Sequence, residues 1–130
     1  TATSIAESMK CKIYCTGGIL RENCSSSLVG SQAKNFISNI HAAKMFFSAK
    51  SVSPIYGLSD TTEEEAELKK IMMKHTERSI LLADSSKHDQ VSFYYICNLA
   101  DIDEMITNES EALSNESWKN LKTKITTVKV

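Results

Sequence analysis

At 130 residues the chain has the length of one domain, and with 42% apolar residues and a single proline it can bury a core without cross-links. Lys and Arg number 15 against 16 Asp and Glu, a formal charge of -1, which excludes the globally basic surface that grips DNA or RNA. No apolar run approaches a bilayer span and no basic-then-apolar leader opens "TATSIAESM", so neither a membrane partner nor export is expected.

In chain order, "SIAESMK" over residues 4–10 places Ile5, Ala6 and Met9 at helical spacing, and "CKIYC" predicts a strand ending at Thr16-Gly17-Gly18. The Ser-rich "ILRENCSSSLVG" reads as a connecting loop or small hairpin. Ser31 is the expected N-cap of an amphipathic helix that lines up Ala33, Phe36, Ile37 and Ile40. Met45, Phe46 and Phe47 predict a buried strand with Ser48 and Lys50 beyond its end, and "SVSPIYGLSD" has the Pro and Gly of a loop. Asp60 and Glu63 have capping-box spacing at the start of a third helix, where Glu63, Glu64 and Glu65 suit the positive end of the helix dipole. On that helix Leu68, Ile71, Met72 and His75 share a face, and Glu65 and Lys69 can pair across one turn.

"SILLADSSKHDQ" follows. The run Ile80, Leu81, Leu82, Ala83 is too short for a comfortable helix and lacks polar alternation, so it predicts a strand buried on both faces of a parallel sheet. A short strand near Tyr95 to Cys97, a strand at "EMIT" ending on Asn108, a helix capped near Ser114 or Asn115 and a last strand in "ITTVKV" complete the chain. Helices and strands alternate throughout, the order of an α/β fold with a mainly parallel sheet and helices on both faces.

In open parallel sheets ligands bind beyond the carboxyl ends of the strands. Four such ends carry glycine or polar residues: Gly17 and Gly18, Ser48 to Lys50, Asp84 to Lys87, and Thr107-Asn108. Paired glycines let backbone N–H groups approach an anion, Ser85 and Ser86 offer hydroxyls, and Lys50 and Lys87 offer point charges, a set suited to a small anionic ligand. Taken one by one, Gly17-Gly18 equally fits a plain turn, and Asp84-Ser85-Ser86 an Asx-type loop stop with Lys87 in solvent.

Other chemistries find no support. There is no GxxxxGK[ST], GxGxxG or GxSxG pattern, and no histidine is spaced to work with a nucleophile or metal. His88 reads as an exposed loop residue near the proposed cleft. Cys11, Cys15, Cys24 and Cys97 lack paired CxxC spacing and read as reduced thiols of a cytosolic protein. Neither a metal nor a cofactor is expected.

The segments "CTGGILRENCSSSLVG", "KMFFSAK", "YGLSDTTEEEAELKKIMMK", "SILLADSSKHDQVSF" and "LADIDEMITN" come in an order that resembles the C-terminal sensor domain of DeoR-family bacterial transcriptional repressors. The resemblance covers roughly residues 1–108 and is most specific from Gly57 to Asn108. It implies a Rossmann-like fold akin to ribose-5-phosphate isomerase and CoA transferases, and a domain that senses a phosphorylated sugar or a related metabolite. It implies that Gly17 and Gly18 form a turn beside the effector and that Gly57 is the turn before the third helix. Asp84 and Lys87 would form the family's Asp-x-x-Lys element, with Lys87 on the phosphate. Asn108 stands where the family frequently has Asp.

The expected whole is a single sensor domain over residues 1–130, a fragment that lacks the family's N-terminal winged helix-turn-helix and its first strand and phosphate loop. Operator DNA would be bound only through that missing part, and a homo-oligomer is expected. The domain would bind without turning over, so no catalytic residue is assigned. The alternative is a sugar-phosphate isomerase-like enzyme in the same cleft, with Asp84 as general base and Lys87 as electrophile.

Overall fold

Ile80, Leu81 and Ala83, from the apolar run of the sequence, lie at the heart of the fold with 5%, 0% and 5% of their surface exposed. The computed structural model describes residues 12–21 and 27–129; the helix expected over 4–10, Cys11 and Cys24 lie outside them. A hairpin of β1 (Ile19–Leu20) and β2 (Leu28–Val29) leads to helix α1 (Ser31–Ser38) and strand β3 (Ala42–Phe47). Next come β4 (Ser51–Ser53), β5 (Gly57–Asp60), helix α2 (Glu63–Lys74), β6 (Thr76–Leu82) and β7 (Tyr94–Cys97). Strand β8 (Glu104–Asn108), the one-turn helix α3 (Glu116–Lys119) and β9 (Lys124–Val128) close the chain.

The strands β3, β6, β8 and β9 form a four-stranded sheet in that order, parallel at every pairing. The α/β expectation therefore holds. Because strand side chains alternate between faces, an edge strand with one face covered shows alternate burial. On β3, Met45 and Phe47 are buried while Phe46 is 58% exposed, which corrects the expectation of a fully buried strand. Leu82 is likewise 42% exposed, so the two-sided burial of β6 ends at Leu81.

A second, antiparallel sheet of β4, β5 and β7 replaces the loop expected over "SVSPIYGLSD". Its polar composition misleads because buried hydroxyls find partners. The Ser53 hydroxyl accepts from the N–H groups of Ile55 (3.2 Å) and Tyr56 (3.1 Å), closing the turn, and Ser51 and Ser92 share a hydrogen bond of 2.6 Å. Satisfied in this way, such groups cost little to bury. Gly57 has φ 76°, and a Cβ there would collide with the Cys97 carbonyl oxygen across the β5–β7 pairing.

Three local expectations are corrected. Residues 12–18 form no strand, since a strand exists by pairing and no described strand runs beside them. Helix α1 starts at Ser31 with Gly30 in the capping position and no side-chain cap. Helix α2 has Thr62 in its N-cap position with no side-chain capping bond; Asp60 ends β5, and its carboxylate pairs with Lys69 instead of forming a capping box.

The core joins both sheets through Val52, Leu58, Leu81, Leu99, Met105 and Trp118. Trp118 is 1% exposed, and its indole N–H donates to Asp89 at 2.9 Å, so its polar tip is satisfied while its ring is buried.

Candidate functional site at the carboxyl edge of the parallel sheet

Strands β3, β6 and β8 deliver Ser48, Asp84 to Lys87, and Asn108 to one edge. Parallel pairing makes this unavoidable, because all strand ends of one polarity lie on the same side. After β6, residues Ser85–Lys87 form a single 3-10 turn capped by Asp84, whose carboxylate accepts from the Ser86 N–H at 3.0 Å and from the Ser86 hydroxyl. These Ser86 bonds, helped by the nearby Lys87 charge, hold the Asp84 carboxyl below its ordinary range. The turn is fastened to β8: the Ser85 N–H donates to Asn108 Oδ1 at 2.7 Å, and Asn108 Nδ2 donates to the Ser85 hydroxyl at 2.8 Å. The Asn at 108 is thus suited to its place, since it both accepts and donates where a carboxylate only accepts.

Lys87 reaches across to β3, its ammonium donating to the Ser48 hydroxyl at 2.7 Å with Asp84 Oδ2 at 3.8 Å. A cation held mainly by a neutral hydroxyl, with its side chain 26% exposed, keeps attraction for an incoming anion. Ser48 also lines a hollow of about 590 Å³ with Thr16, Ser27, Phe47, Glu65 and Lys69. A larger hollow of about 750 Å³ runs along β3 between Tyr14, Phe36, Ile40 and His75; it is the more apolar of the two and does not include Ser48. Of the edge residues only Ser48 lines the smaller hollow, whereas Asp84 to Lys87 and Asn108 line neither; we place the candidate site where the Ser48 hydroxyl joins that hollow to the Lys87 ammonium.

Of the residues named from the sequence, Asp84, Ser85, Ser86 and Lys87 lie together. Gly17 and Gly18 follow Thr16 into the β1–β2 hairpin and do not end a strand of the parallel sheet. Gly18, at φ 110°, packs against the Val29 carbonyl and Ala33, whereas Gly17, at φ 67°, has open space where a Cβ would stand. Lys50 is exposed just before β4 and lines neither hollow.

His88 corrects its expectation most clearly, being 5% exposed and not a solvated loop residue. Its ring nitrogens bond to Thr107 Oγ1 at 2.9 Å and Ser110 Oγ at 2.7 Å, and its ring lies 5.0 Å from that of Trp118. Burial pushes its pKa down against the pull of Asp89 and Asp84, so the neutral ring is a structural clamp behind the turn. Glu65 and Lys69 were not expected at the site; they pair across one turn at 3.2 Å, as their i, i+4 spacing predicts. Their signal was Glu65 one helical turn before Lys69, with Asp60 at the end of the preceding strand.

Cys97 is buried, and that burial, with Asp101 nearby, raises its thiol to about 12; Cys15 is exposed, and both are free thiols. Among the described residues no group of three His, Cys, Asp or Glu side chains is arranged to hold a metal ion, and no helix is long and apolar enough to cross a membrane.

An α/β sheet with polar groups gathered at its carboxyl edge fits many ligand-binding domains, so the deciding observation is the sequence comparison. The family model of the DeoR C terminal sensor domain matches residues 1–109. The chain belongs to the DeoR sensor-domain family. Among curated relatives, it is 34% identical over 128 residues to an uncharacterized HTH-type transcriptional regulator, YulB, of Bacillus subtilis, covering 98% of this chain and 49% of the relative. It is 35% identical over 108 residues to the HTH-type transcriptional regulator GolR of Listeria innocua, covering 83% and 42%. It is 30% identical over 106 residues to a lactose phosphotransferase system repressor of Staphylococcus epidermidis, covering 81% and 41%. The chain thus spans about half the length of these curated relatives. All three are named as regulators of transcription, which favours a DeoR-type sensor over the isomerase-like alternative for this domain.

Proposed function

We propose that this DeoR-type sensor domain binds a phosphorylated sugar or a related small anion in the hollow beside Ser48, and that binding controls the DNA affinity of the protein it belongs to. The observation that carries the reading is the Lys87 ammonium, held at 2.7 Å by the Ser48 hydroxyl where three parallel strands end. A phosphate arriving there takes a charge-assisted bond from Lys87. The resemblance to a lactose phosphotransferase system repressor supports a sugar-related effector. The remaining half of a relative-sized chain would carry the operator-binding winged helix-turn-helix, and the protein would act in the cytoplasm as a homo-oligomer.

The effector would work by binding the released and DNA-bound states unequally; only that difference moves the population. The test mixes full-length protein with hexose and pentose phosphates while thermal stability, operator binding and product formation are followed. Stabilisation with release of DNA and no product is expected, and Lys87→Ala should abolish the stabilisation. No shift from any phosphosugar, or a shift that survives Lys87→Ala, refutes the reading.

A further inference from the structure

We infer that Glu65 and Lys69, on the wall of the hollow that Ser48 borders, select the effector by its hydroxyl groups, holding a vicinal diol while the phosphate lies at Lys87. The inference rests on the reading above and adds to it an orientation and a second pair of recognition residues. Both side chains line the hollow together with Ser48; Lys87 does not line it but donates to the Ser48 hydroxyl at 2.7 Å, so a ligand that fills the hollow and reaches past Ser48 would meet both ends. Lys69 Nζ stands 3.2 Å from Glu65 Oε2, close to the separation of two oxygens on adjacent sugar carbons. Lys69 turns two of its three N–H groups to Asp60 and Glu65, which leaves one for a ligand, and the Glu65 carboxylate, with about four acceptor positions, keeps room beside its bonds to Ser27 and Lys69, so neighbouring hydroxyls find an acceptor and a donor side by side.

The pair is arranged to do this without drawing the phosphate away from Lys87. The Lys69 charge is met by Asp60 as well as by Glu65, and Arg21 Nε lies 3.7 Å from Glu65 Oε1. The wall is therefore close to electrically balanced, which suits a neutral polyol better than an anion. Burial works against ionisation of Glu65, yet the Ser27 hydroxyl and the Lys69 and Arg21 charges outweigh it and hold its pKa below the usual value. Glu65 therefore stays a pure acceptor at neutral pH. With side chains only 13% and 15% exposed, Glu65 and Lys69 are already fixed in place and lose little freedom when a ligand arrives.

The experiment measures, by calorimetric titration of the full-length protein, the affinity for glucose 6-phosphate, fructose 6-phosphate, ribose 5-phosphate and inorganic phosphate. Wild type, Glu65→Gln, Glu65→Asp and Lys87→Ala are compared. For the sugar phosphate that wild type binds most tightly, both Glu65 variants should weaken binding tenfold or more while leaving inorganic phosphate within twofold; Lys87→Ala should weaken both. Undiminished inorganic phosphate binding shows that the site is still folded. If the Glu65 variants bind the sugar phosphate as wild type does, or lose inorganic phosphate in equal measure, the inference fails and the proposed function stands. If wild type binds none of the four, both fail.

Discussion

Lys87 and Lys69 are each accompanied by an aspartate at the end of a β-strand, and the two pairs do opposite work. Asp60 and Lys69 are nearly enclosed, with 7% and 15% of their side chains exposed, and Glu65 closes the group from the next turn of the same helix. Asp84 and Lys87 are open, at 59% and 26%, and 3.8 Å apart; the aspartate is occupied with Ser86 and the lysine with Ser48. The first lysine neutralises buried acid and holds α2 on the end of β5. Its charge is thereby neutralised and only a hydrogen bond is left for a ligand's hydroxyl, whereas the second keeps its charge for an incoming anion. An Asp–Lys pair in a sequence therefore says little until its burial is known, because the cost of stranding one partner is large inside and small outside.

The largest effect that tests this contrast is Lys69→Ala, which strands the Asp60 carboxylate and should cost about 3 kcal/mol in urea unfolding. A loss below about 1 kcal/mol would place Lys69 with the surface lysines. Gly57→Ala comes next. It forces a Cβ into a left-handed conformation against the Cys97 carbonyl, and about 2 kcal/mol of destabilisation is expected. An unchanged unfolding midpoint would show that the β5–β7 pairing yields.

The clamp behind the Lys87 turn should make stability depend on pH. His88 binds a proton less readily in the folded protein than in the unfolded chain, so acid favours unfolding. Its contribution is complete above the unfolded value near about 6.5 and is lost as pH falls below it. A His88→Gln variant should show a flatter profile as pH falls below about 6.5. Equal slopes for the two proteins would exclude His88 as the cause. The smallest effect belongs to Lys87→Ala, whose stability should stay within about 0.5 kcal/mol of wild type, as for other exposed pairs. A loss as large as that of Lys69→Ala would erase the distinction between the two sites.

Much of the architecture is legible in local pattern. The apolar block from Ile80 to Ala83 announces a parallel strand, and "EMIT" and the last strand join it in sequence order. Family membership rests on short segments whose order alone is enough, and residues 1–109 match accordingly. Two features were hidden because their signals depend on distant partners. The antiparallel sheet is written in serines, whose burial becomes cheap only when Ser92 arrives to bond Ser51 and Ser59. His88 looks like a solvated residue after a turn until Thr107, Ser110 and Trp118 surround it.

By itself, then, the sequence determined the fold class, the family and the polar set from Asp84 to Lys87, because periodicity, apolar runs and motif order are properties of neighbouring residues. Only the tertiary structure decided that Ser48 and Asn108 meet that set, that Gly17 and Gly18 stand in a separate hairpin, and that Glu65 and Lys69 face a shared hollow. Those facts follow from how strands align and which charges are shut away from water. Such contacts span long stretches of chain, and no local pattern encodes them.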